Sequence, residues 1–126
     1  MNTRPDLVFE DSPGCVIVRV SGRAMVDDKE TTIRAMAETI EARSPKAVLV
    51  DMRNIPGPLT FMDRYQMGEL AGQLLMGFHL AVLVQEEQAD PKRIGQVVAQ
   101  NRGARLEAVF TKEESAMEWL KQYTNP

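Results

Sequence analysis

The chain has 126 residues, of which 44% are hydrophobic and 26% charged, with a formal net charge of −3. That length and balance suit one globular domain over 1–126, large enough to bury about two-thirds of its unfolded surface, and argue against a disordered chain. The charges are interspersed and no Lys/Arg stripe forms, so neither nucleic acid nor an anionic membrane is an expected partner.

The opening segment MNTRPDLVFEDSPG lacks the apolar core of a signal peptide, and no apolar run reaches the length of a membrane span. A single cysteine, Cys15, has no internal partner, which fits a reducing cytoplasm. Its place in a strand-like run makes it a small buried hydrophobe.

In chain order, Leu7–Glu10 reads as a strand and Asp11-Ser12-Pro13-Gly14 as a turn. Cys15–Val20 is the return strand of a hairpin, with Val16, Val18 and Val20 on one face, and Gly22 closes it. Asp27 with Glu30 has the spacing of a helix cap, and Ile33, Met36, Ala37 and Ile40 supply the buried stripe of the helix that follows. Pro45 stops that helix. Ala47–Val50 is a continuous apolar run, as in a strand covered on both faces, and Asp51 is expected to end it.

Pro56-Gly57-Pro58 bars helix and central strand alike. Thr60 then opens a helix, with Asp63 completing a capping-box pattern, and Met67, Leu70, Ala71 and Leu74 form its apolar face. Gly77 is the expected C-cap and Leu80–Val84 a further buried strand. Gln85–Asp90 reads as a polar loop. Asp90-Pro91 opens a helix with Ile94, Val97 and Val98 inward, ended by Asn101-Arg102-Gly103. Leu106, Ala108 and Phe110 alternate in an edge strand. Thr111 with Glu114 caps a final helix whose Ala116, Trp119, Leu120 and Tyr123 turn inward. The order β-β-α-β-α-β-α-β-α predicts an α/β fold: a mostly parallel sheet, one antiparallel edge, and helices packed against it.

The helix after Thr60 carries a second face, formed by Phe61, Tyr65, Gly68, Gly72 and Met76. A helix lying on a sheet needs only one apolar stripe. Burying a side chain such as Phe61 or Met76 is worth about 1.5–3 kcal/mol, so a cover for this face is expected. Gly68 and Gly72 each cost about 1 kcal/mol in helix propensity and permit close approach by another element. The cover is a neighbouring helix of the same chain, a second copy in a homodimer, or an apolar small molecule. Met62 belongs with this group, since methionine adapts to flexible apolar ligands.

Asp51 lies at the carboxyl end of a central strand, where open α/β sheets place ligands, and Arg53 follows closely enough to pair with it. His79 is the single histidine around which a general base would have to be built. No nucleophile-elbow, zinc-spaced cluster or phosphate-binding glycine loop accompanies it, so no enzymatic activity, metal or cofactor is expected; the alternative, an enzyme, requires Asp51, Arg53 and His79 to converge.

The element order, the run LVDMRNIPGPLT, Val20-Ser21-Gly22-Arg23, Leu49-Val50-Asp51-Met52-Arg53, and Phe110-Thr111-Lys112-Glu113-Glu114 through Trp119-Leu120 together resemble a STAS domain, and more narrowly the SpoIIAA-like group of small bacterial proteins. The resemblance spans nearly the whole chain. It implies a non-enzymatic regulatory or binding module with a protein partner. In anti-sigma-factor antagonists of this kind a serine at the start of the second helix is phosphorylated, and the resemblance places Thr60 near that position. The D-S-S-G type signature is absent here, its place taken by Leu59, Phe61 and Met62. SpoIIAA-like domains are also likened to lipid-binding CRAL-TRIO-type domains, which implies an apolar ligand by analogy of fold.

Overall fold

The structure is a computed structural model describing residues 6–75, 77–86 and 105–124, with side chains of the last segment described from 109 onward. Pro13-Gly14 forms the tight link between β1 (Leu7–Ser12) and β2 (Cys15–Ser21), with Gly14 at φ +74° and Ser12 opposite Cys15. There follow α1 (Ala24–Asp27), α2 (Lys29–Arg43), β3 (Ala47–Asn54), α3 (Phe61–Leu74), β4 (His79–Leu83), β5 (Arg105–Phe110) and α4 (Glu113–Thr124).

The described strands lie side by side in sequence order, β1-β2-β3-β4-β5. The β1–β2 pair is antiparallel and the other pairs are parallel, which is the expected mostly parallel sheet with one antiparallel edge. Alternation along each strand sends side chains to opposite faces. Val16, Val18, Val20, Val48, Val50 and Leu80 join Met25 of α1 and Ile33, Met36, Ala37 and Ile40 of α2 in one core. Met67, Leu70, Ala71 and Leu74 of α3 pack against it, as their spacing predicts. Cys15, Ile17, Ala47, Leu49, Ala81 and Leu83 form the other face, covered by Ala116 and Leu120 of α4. Both faces of β3 are therefore covered, which is why its sequence is apolar without alternation.

Six expectations are corrected. β1 runs on through Asp11 and Ser12, read as turn, so that only Pro13-Gly14 turns, and α4 opens at Glu113, one residue later than a cap at Thr111 places it. Asp51 does not end its strand: β3 continues to Asn54, pairing Ser21 with Asn54, so Asp51 sits inside the sheet. The helix after the hairpin begins earlier and is broken, because Asp27 ends the short α1 and Asp28, with no side-chain cap bond, precedes α2. Leu75 rather than Gly77 is the C-cap of α3, and Gly77 two residues on takes the positive φ. β4 starts and ends one residue before the predicted Leu80–Val84. The predicted helix beginning at Asp90-Pro91 and its cap at Asn101-Arg102-Gly103 lie outside the described residues.

Candidate functional site

The side chains singled out by the sequence gather at two places on opposite faces of the sheet. On the α4 face, Asp51 is buried, its side chain 3% exposed, between two guanidinium groups. Arg53 donates to it through Nε at 2.9 Å and Nη2 at 3.0 Å, and the Arg53 backbone N–H adds a third bond at 3.1 Å. Arg19, whose residue pairs with Asp51 across the parallel β2–β3 ladder, donates from Nη1 at 2.9 Å. Glu113, the first residue of α4, accepts from Arg19 Nη1 at 2.6 Å and Arg53 Nη2 at 3.0 Å, and Glu10 of β1 accepts from Arg19 Nε at 2.9 Å.

Burial by itself would raise the pKa of Asp51, but the hydrogen bonds from Arg53 and Arg19 outweigh it and hold the carboxyl below its ordinary value. The hydrogen bond from Arg19 does the same for Glu113 against a smaller effect of burial. Both acids are thus ionised and compensated, and Arg19 is held more firmly protonated by Glu113 and Glu10. Every acid here faces an arginine, so the cluster fastens β1, β2, β3 and α4 together rather than presenting an idle base. Asp51 and Arg53 were legible as a pair; Arg19, Glu10 and Glu113 were not, because 94 residues separate Arg19 from Glu113.

His79 stands apart from this cluster. It pairs with Ala47 in register while Asp51 pairs with Leu83, so four residues of strand, about 13 Å, separate the two levels. The imidazole stacks on Tyr123 with ring centroids 3.8 Å apart, and its buried Nδ1 has no hydrogen-bond partner in the structure. A site combining Asp51, Arg53 and His79 therefore does not assemble. Cys15 is buried, and burial pushes its thiol pKa up, away from nucleophilic use. Among the described residues no group of His, Cys, Asp and Glu could hold a metal ion, and no helix is long and apolar enough to cross a membrane.

On the other face, the start of α3 is a firmly built helix end. Thr60 Oγ1 accepts from the Asp63 N–H at 3.0 Å and the Asp63 carboxylate accepts from the Thr60 N–H at 2.9 Å, the reciprocal pair of a capping box. Lys29 at the head of α2 pairs with Asp63 at 3.0 Å, both side chains largely buried, which brings the first turns of α2 and α3 together. Burial opposes ionisation of Asp63, but its bonds to Thr60 and Lys29 outweigh that and lower its pKa.

Thr60 itself is exposed. Phe61 and Met62 follow it at 59% and 54% exposure, and Tyr65, half-buried, stacks on Phe61 with centroids 6.4 Å apart. The second face of α3 is thus divided. Gly68 and Gly72 are buried, whereas its first turn projects into solvent. Met76 lies outside the described residues.

No protein-family model matches the chain, and no curated protein matches it in sequence. Among solved structures it is similar to the crystal structure of an anti-sigma factor antagonist from Mycobacterium paratuberculosis, at 17% identity over 95% of this chain and 99% of that chain, with a TM-score of 0.55. At that identity the likeness shows the fold, which is STAS-like as the sequence resemblance implied.

Proposed function

We propose that the protein is a non-enzymatic regulatory module that docks a protein partner through the first turn of α3, with Phe61 and Met62 as anchors and Tyr65 supporting them. One observation carries this: two large apolar side chains, each more than half exposed, stand on a helix end held rigid by its capping box. Burying the exposed half of each in a partner is worth about 1–1.5 kcal/mol, and a fixed helix end loses little conformational freedom on binding. Projecting anchors suit a protein surface better than a small apolar molecule, which takes a concave site that buries most of it. The buried Gly68 and Gly72 are then packing positions rather than part of the docking face.

The Lys29–Asp63 pair sets the head of α2 beside these anchors, and exposed Asp27, Asp28 and Glu30 lie there. Their charge favours a partner with a basic rim around an apolar pocket. The fold likeness to an anti-sigma factor antagonist supports the regulatory character.

The test is a photo-crosslinking residue at 62, with a control at exposed Glu38, in the producing cell. A protein trapped only from position 62, then purified, should bind the wild-type chain and lose affinity at least tenfold for a Phe61→Ser/Met62→Ser variant. A second copy trapped there would make the partner a homodimer mate. No selective crosslink, or equal affinity for the variant, overturns the proposal.

A second reading has its own support. Thr60 is exposed at a helix N-terminus, where a phosphate would meet free N–H groups and the positive end of the dipole. The Asp63 carboxylate already occupies the Thr60 N–H, so a phosphate would have to displace it. Intact mass and fragmentation of the chain from cells containing its cognate kinase test this, and absence of phosphate on Thr60 under those conditions rejects it.

A further inference from the structure

The turn leading into α3 has few donors of its own, because Pro56 and Pro58 carry no N–H. Its carbonyls are met from outside. Arg23 Nη1 donates to the Pro56 carbonyl at 2.7 Å and to the Pro58 carbonyl at 3.2 Å. Between those carbonyls Gly57 adopts φ +83°, and a Cβ placed there would stand 3.1 Å from the same Nη1. The arginine starts from a fixed base: the Gly22 N–H donates to the Asn54 carbonyl at 3.2 Å, and the Arg23 carbonyl accepts from Val26 and Asp27 at the start of α1. Ile55 and Leu59, both buried, anchor the turn on either side.

We propose that Arg23 is a clasp that fixes the 55–60 turn to the start of α1 and so sets the direction in which Phe61 and Met62 project. One guanidinium nitrogen carries two N–H groups and reaches both carbonyls, while the buried Ile55 and Leu59 and the locked φ of the two prolines leave the orientation of the carbonyls about Gly57 to be held by the arginine. Gly57 serves the clasp twice, by its left-handed backbone and by leaving room for the guanidinium. The consequence for docking rests on the function proposed above; the clasp itself does not.

Amide hydrogen exchange on the full chain tests it. The informative amides are hydrogen-bonded ones at the turn and helix start: Ile55 to Met52, Thr60 to Asp63, Asp63 to Thr60, and Arg64 to Thr60. In Arg23→Ala these four should exchange about tenfold faster, as loss of one or two surface hydrogen bonds implies, while amides of β2 and β3 keep their rates. Arg23→Lys, whose ammonium carries enough N–H groups but ends one bond short of the Nη1 position, should fall between. Gly57→Ala should give the same local pattern, and in the double variant the two accelerations should combine to less than their product, because the added methyl no longer meets a guanidinium. Unchanged rates at the four amides, acceleration spread evenly over the chain, or fully multiplicative effects would each overturn the clasp. Failure of the Phe61/Met62 crosslink would leave this exchange pattern intact, so the two proposals fail separately.

Discussion

Arg19 and Glu113 meet at 2.6 Å across 94 residues of chain, and with Asp51 and Arg53 they fasten α4 to the carboxyl ends of β2 and β3. Because arginine holds both acids below their ordinary values, the cluster makes stability depend on pH. For a carboxyl depressed in the folded state, the stabilisation is fully present above the unfolded pKa and is lost as pH falls through the folded one. Denaturant midpoints should therefore be flat near neutrality and fall once pH drops below the ordinary values of 4.5 for Glu and 3.8 for Asp. A Glu113→Gln variant should show a shallower fall. An unaltered slope would mean that the cluster is not what titrates.

Removing the centre of the cluster should be costly. Asp51→Ala removes the buried acid that Arg19 and Arg53 share and leaves them sharing only the half-exposed Glu113, and breaking a buried ion pair costs about 3–5 kcal/mol. The partial exposure of both arginines puts the expected loss near the lower end, about 3 kcal/mol. Urea unfolding measures it, and a loss below about 1 kcal/mol, the scale of a surface pair, would show that solvent screens the network.

The cap at Thr60 separates structural from regulatory roles. Thr60→Ala should lower stability by about 1 kcal/mol, whereas Thr60→Ser should be nearly neutral because serine caps equally well. Thermal unfolding of the pair reads this directly. Equal losses in both variants would point to the methyl group instead of the hydroxyl.

Phe61→Ser/Met62→Ser should lower stability by no more than about 1 kcal/mol, since both side chains are already more than half exposed. The same variant is the one expected to lose the partner, so folding and docking separate cleanly. A stability loss above about 2 kcal/mol would mean that the two side chains are packed in solution, and the docking surface would then have to be sought elsewhere.

Neutralising the acids in Asp27→Asn, Asp28→Asn and Glu30→Gln should slow association with a basic-rimmed partner and remove most of its salt dependence, with little change in dissociation. Stopped-flow mixing at low and high ionic strength distinguishes this from a direct contact, whose loss would appear in the off-rate.

The local order of this chain was set by the sequence on its own. The valines of β2, the unbroken apolar run of β3, the Thr60–Asp63 box and the Ala116/Leu120 stripe each encode structure through neighbours a few residues away, and each appears where that periodicity places it. The boundaries at Asp51 and Asp27 were not legible. A buried aspartate continues a strand only when arginines from β2 and β3 compensate it, and nothing beside Asp51 in sequence announces Arg19 or Glu113. The Arg23 side chain over Pro56 and Pro58, the Lys29–Asp63 tie and the division of α3 into a covered middle and an exposed first turn were likewise decided by tertiary structure. Helical or strand periodicity states which side of an element is apolar. What covers that side depends on elements distant in sequence, and the packing of the whole chain determines how much of it remains for a partner.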